Sequence, residues 1–223
     1  AGPSTTIRNK EGIGCMDLVS ANRNGAAPLS VFLNNGDGTF QQPRFLSIGE
    51  RAISLVLADL DGDGDEDLAG TASGVGSDTS SSTVWVFRNE GAGSFGPVEV
   101  YLAGSVVEAV AAGDMDGDGI SDLAVAGATR NVWVLTSAGS RFLLSAGLTA
   151  GNGPTSVTAA DLNGDGKFDL AVTNLKSSDV SVFLNATPEL DGDCNGNGIP
   201  DSCDLARGAS ADADGDGISD ERQ

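Results

Sequence analysis

The chain of 223 residues contains no histidine. That removes the commonest general base near neutral pH and the usual nitrogen ligand of zinc and other transition metals. Aromatic residues make up 5%, with one tyrosine, Tyr101, and two tryptophans, Trp85 and Trp133, so candidates for a sugar-stacking platform are few. Lys and Arg total 12 against 32 acidic residues, and the formal charge of −20 is hostile to nucleic acid. No apolar run approaches the roughly eighteen residues of a membrane span. Cysteines are three, of which Cys194 and Cys203 lie close together and suggest a disulfide. No Walker loop, no nucleophile elbow and no histidine-containing constellation occurs, and the paired carboxylates an acidic hydrolase would use are those with a calcium role. The expectation is a protein that is not an enzyme.

What the chain has in abundance is acid spaced by glycine. Asp59-Leu60-Asp61-Gly62-Asp63-Gly64-Asp65-Glu66-Asp67-Leu68 recurs as Asp114-Met115-Asp116-Gly117-Asp118-Gly119-Ile120-Ser121-Asp122-Leu123 and as Asp161-Leu162-Asn163-Gly164-Asp165-Gly166-Lys167-Phe168-Asp169-Leu170. Side-chain oxygens stand at positions 1, 3, 5 and 9 of each copy. Such oxygens repel one another unless a hard cation sits among them, and an oxygen-only donor set points to calcium. Glycines at positions 4 and 6 let the backbone curl, and the carbonyl of position 7 (Asp65, Ile120 or Lys167) adds a further ligand. The expected ligands are therefore Asp59, Asp61, Asp63, Asp65 and Asp67, then Asp114, Asp116, Asp118, Ile120 and Asp122, then Asp161, Asn163, Asp165, Lys167 and Asp169.

Asn9 to Leu18 aligns with these loops without a gap, but Ile13 replaces the central acid, so weak calcium binding or none is expected there. The nearby Cys15 reads as a buried free thiol. First positions at 9, 59, 114 and 161 give periods of 50, 55 and 47 residues, the signature of a propeller or solenoid. Each period divides into four strands; in the second they are Ile53 to Asp59, Asp67 to Ala72, Thr83 to Asn89 and Phe95 to Leu102. Alternation is clearest in the third strand, as in Val84-Trp85-Val86-Phe87 and Val132-Trp133-Val134-Leu135, and the equivalent tryptophans read as packing between blades. Glycine-rich hairpins ending at Phe40 and Phe95 support the turn from third to fourth strand. The fold class is all-β, a propeller-like array of about four four-stranded blades, either four-bladed and closed or an open arc. Blades are expected at about 3–50, 51–104, 105–150 and 151–187, and the last ends after its third strand at Asn185.

On these loops, and on Asn35-Gly36-Asp37-Gly38-Thr39-Phe40 and Phe95-Gly96-Pro97, residues 4 to 185 resemble the FG-GAP/VCBS repeat family, the calcium-loop blades of integrin α-subunit propellers and many bacterial surface proteins. The resemblance implies structural calcium at the rim of a propeller whose role is adhesion or scaffolding.

A second module is expected over residues 188–223. Asp193, Asn195, Asn197, Ile199 (through its carbonyl), Asp201 and Asp204 take the places of an EF-hand-like loop, and Asp212, Asp214, Asp216, Ile218 and Asp220 repeat it. The pair resembles thrombospondin type 3 repeats, and a Cys194–Cys203 bridge would close the first loop with a contribution of about 2–3 kcal/mol. About five calcium ions are thus expected, three in blade loops and two in the tail.

Calcium loops and a structural disulfide both suit the outside of a cell, secreted or at its surface. The function expected is a calcium-stabilised structural or adhesive protein that contacts another protein or its own copies, extending to a fibre or larger surface assembly. The alternative is a lectin-like propeller with a glycan ligand. No nucleic-acid partner and no membrane span is expected. Asn185-Ala186-Thr187 has the form of a glycosylation acceptor.

Overall fold

The computed structural model describes residues 4–5, 17–22, 29–73, 82–91, 93–102, 106–139 and 141–186. Alternating apolar residues and glycine turns give strands throughout, and no helix occurs among the described residues. The first sheet runs in the order β1 (Ser4–Thr5), β2 (Leu18–Ala21), β3 (Leu29–Phe32), β4 (Arg44–Leu46). The second runs β5 (Arg51–Ala58), β6 (Asp67–Ser73), β7 (Ser82–Phe87), β8 (Glu99–Leu102). The third runs β9 (Val107–Gly113), β10 (Asp122–Gly127), β11 (Asn131–Ser137), β12 (Phe142–Thr149). The last has three strands, β13 (Pro154–Ala160), β14 (Asp169–Asn174) and β15 (Asp179–Phe183). Every pairing is antiparallel between chain neighbours, the meander of a propeller blade.

The inner strands β5, β9 and β13 stack in series, and the apolar residues fall into three clusters, one per blade interface. Val19, Val31 and Leu29 of the first blade meet Leu55, Leu68 and Trp85 of the second. Val84 and Val86 meet Val110, Leu123 and Phe142 of the third. Ala124, Val132 and Val134 meet Val157, Leu170 and Val172 of the fourth. The far face of the fourth blade is left to solvent, with Val180 and Val182 both more than half exposed. Among the described residues the four blades pack through three interfaces in series.

The tryptophans pack as their strand positions require, though not alike. Trp85 is fully buried in the first interface, and its ring lies over Gly70, its direct cross-strand partner; Trp133 is half-buried beside Gly127. In the second blade the first three strands lie within two residues of the expected limits, whereas the fourth begins at Glu99, since Phe95 pairs only as an isolated bridge to Asn89. Residues 187–223, with the expected tail ligands Asp193 to Asp220 and the Cys194–Cys203 bridge, lie outside the described residues. So do Cys15 and the whole of the decayed first loop except Asp17 and Leu18.

Candidate metal centre

Each loop joins the inner strand of a blade to its second strand, so all three emerge at the same end of the array. The acid at position 1 organises the turn. Asp59 accepts the amides of Gly62 (2.7 Å) and Gly64 (2.9 Å), Asp114 those of Gly117 and Gly119 (2.7 and 2.9 Å), and Asp161 those of Gly164 and Gly166 (2.7 and 3.0 Å). Those glycines all have φ between 80° and 88°, where a Cβ is strained, and this is why the turn needs glycine at both places. The amides of Gly166 and Gly164 also hold Asp161 below the ordinary carboxylate range.

The acid at position 9 is buried and stitches the loop to the sheet. Asp67 accepts the amides of Leu60 (3.1 Å) and Asn89 (2.8 Å); Asp122 those of Met115 and Ser137 (both 2.8 Å); Asp169 those of Leu162 (3.0 Å) and Asn185 (2.7 Å). Asp17, the same position in the decayed first copy, accepts the amide of Asn34 at 2.7 Å. The residue at or just past the end of the third strand therefore has a fixed partner in every blade.

Positions 1, 3 and 9 converge. Carboxylate oxygens of Asp59, Asp61 and Asp67 lie within 4.8 Å of one another, as do those of Asp114, Asp116 and Asp122. Either cluster has the geometry to hold a metal ion. Burial, and then the charges of Asp116 and Asp118, push Asp122 up to about 6 against two amides that pull it down. Burial likewise raises Asp67 and Asp116. Among the described residues no cationic side chain pairs with Asp122, whereas Arg88 lies 3.1 Å from Asp67 and partly neutralises the second-blade cluster. This crowding of like charge is what a divalent cation would relieve, so the donor set fits calcium.

The acids at position 5, Asp63 and Asp118, are not among the converging carboxylates; each accepts the amide of position 7, at 2.8 Å in both loops. In the third loop Asn163 replaces an acid at position 3, and its oxygen accepts the amide of Asp165 at 2.9 Å. Its hydrogen-bond frame is that of the other two, with a neutral oxygen in place of one charge.

Sequence reasoning did not reveal how the loops are tied together. Ser137 donates its hydroxyl to the carbonyl of Leu60 in the preceding blade's loop (2.8 Å), and Asn185 donates its side-chain amide to the carbonyl of Met115 (2.8 Å). The amide of Ser121 also reaches Asp59 O at 3.1 Å. The recurrence of Asn34, Asn89, Ser137 and Asn185 at or just past the end of each third strand was the available signal. The nitrogen of Asn185 that a glycan would use is thereby engaged in the seam.

A model of the FG-GAP-like repeat matches residues 12–70, 74–125 and 114–172. No curated protein matches the chain. Among the described residues no helix is long and apolar enough to cross a membrane. With three matched copies spanning most of its length and the acidic loops lying within them, the chain belongs to the FG-GAP-like repeat family.

Proposed function

We propose that this chain is a calcium-stabilised, non-catalytic scaffold, extracellular and either secreted or displayed at a cell surface, that binds other proteins or further copies of itself. The observation that carries the reading is the position of the carboxylate clusters: they sit in loops hydrogen-bonded across the seams between blades, so an ion in one loop fixes its blade and the next. Calcium supplies the charge that lets three buried or crowded carboxylates coexist. The second loop is held by Asp114, Asp116 and Asp122, the first by Asp59, Asp61 and Asp67, and the third by Asp161, Asn163 and Asp169, with position 7 carbonyls adding oxygen. A family built of such repeats uses the blades as rigid supports for adhesion, and in this reading the clustered carboxylates serve as calcium ligands and not as acid–base groups.

The tail, residues 188–223, belongs to the same reading as a calcium module closed by a Cys194–Cys203 bridge. No observation favours the lectin alternative: Trp85 is fully buried, and Tyr101 donates to Glu99 (2.7 Å) with its ring edge-on to Phe142. Equilibrium dialysis with calcium tests the proposal. About five ions per chain are expected, falling by one in Asp116→Ala and by two on removal of residues 188–223; a chain that binds none at millimolar calcium contradicts it.

A further inference from the structure

Among the described residues the fourth blade has three strands, and the other three blades show what stands beside the third. In each of the first three blades, the residue held by the position 9 acid faces a phenylalanine across the hairpin: Asn34 faces Phe40, Asn89 faces Phe95, and Ser137 faces Phe142. In the second and third blades that ring enters the interface with the preceding blade. Phe95 and Val98 join the cluster of the first interface. Phe142 is buried in the next, 5.7 Å edge-on from Tyr101 and with the Arg88 guanidinium 5.5 Å from its centroid. Phe40, in the first of the four blades, is 45% exposed.

Asn185 occupies the same place in the fourth blade, its amide on Asp169, and among the described residues no strand lies beyond β15. A groove of about 660 Å³ opens there, continuous with the third interface and lined by Met115, Thr136, Leu148, Leu170, Phe183 and Leu184. Leu148 pairs with Val132 as Tyr101 pairs with Val84, and Thr136 directly precedes Ser137 as Arg88 precedes Asn89, so the walls that receive Phe142 are repeated one blade on. No residue from 184 to 223 is aromatic, so that stretch cannot supply the ring.

We infer that the edge of β15 and this groove form a strand-addition site for an extended segment of a partner protein, pairing antiparallel with β15 and placing a phenylalanine opposite Asn185. Backbone pairing along the edge supplies affinity, and the ring in the groove supplies register and selectivity. Asp116 at the groove margin disfavours an acidic segment. The inference names the partner chemistry of the scaffold proposed above and rests on that reading only for the partner being a protein.

The probe is a labelled peptide of residues 139–149 of this chain, Gly-Ser-Arg-Phe-Leu-Leu-Ser-Ala-Gly-Leu-Thr, titrated with the full chain in calcium by fluorescence anisotropy. Saturable binding is expected, weakened roughly tenfold or more when the peptide phenylalanine is replaced by alanine. Leu184→Glu, at an exposed groove residue, removes binding, and Leu175→Glu, at a still more exposed residue in the β14–β15 turn, leaves it unchanged. Absence of binding to the folded chain, equal binding of the alanine peptide, or binding that emerges only when residues 187–223 are deleted would each overturn the inference, the last by showing that the chain covers its own groove. The calcium-dependent melting shift, read on the same samples, is independent of all three outcomes, so failure here leaves the calcium reading standing.

Discussion

Ser137 donates its hydroxyl to the carbonyl of Leu60 across the seam between the second and third blades while its own amide is held by Asp122. One residue thus joins the loop of its own blade to the loop of the blade before it. Both partners are buried, so removing the hydroxyl leaves a carbonyl without its donor. Ser137→Ala is expected to destabilise by about 1–2 kcal/mol. Chemical denaturation measures it, and the loss should persist in chelator because the bond needs no ion.

Gly70 tests the packing of the first interface. A Cβ there would overlap Trp85 Cζ2 and the carbonyl oxygen of Ser54, and the latter, being backbone, cannot swing aside. Gly70→Ala should cost about 3 kcal/mol or prevent folding. Gly147, in β12, has open space around the same position, and Gly147→Ala should change stability by less than about 0.5 kcal/mol.

The loops rank by what they have to lose. Asp61→Ala and Asp116→Ala each remove a converging carboxylate and should lower the melting temperature in calcium but much less in chelator. Glu11→Ala, at position 3 of the decayed copy in which Ile13 replaces the central acid, should do little in either. Equal effects of all three in calcium would contradict the assignment of the loops.

The calcium-free protein should respond to pH in the opposite sense from the loaded one. Burial raises Asp122 to about 6 in the folded chain, above its ordinary value of 3.8. Its protonated form is therefore favoured by folding: the contribution is complete below the ordinary carboxyl range and lost as pH rises through about 6. In chelator, lowering the pH from 7 to 5 should raise the melting temperature. In saturating calcium the same change should lower it, because protons then compete with the ion. Melting curves at the two pH values check both signs.

Much of this was legible in the sequence because the repeat is local. The acid and glycine spacing of Asp59 to Asp67 fixes a turn within ten residues, and Val84-Trp85-Val86-Phe87 declares its strand by alternation. What escaped was non-local or double in purpose. Asp67 reads as a ligand, yet it also caps Leu60 and Asn89, two residues 29 positions apart that only the folded sheet brings together. Ser137 differs from its counterparts Asn34, Asn89 and Asn185, so the seam contact was hidden by a change of side chain at a constant place. Closure of the array depends on whether the fourth blade meets the first, and no single strand encodes that.

The central claim is that calcium in these loops holds the blades together, and thermal melting with and without the ion tests it most directly. In millimolar calcium the chain should melt in one transition many degrees above that in chelator, since ion binding is lost along with the relief of carboxylate repulsion. Identical melting temperatures in the two conditions would contradict the account.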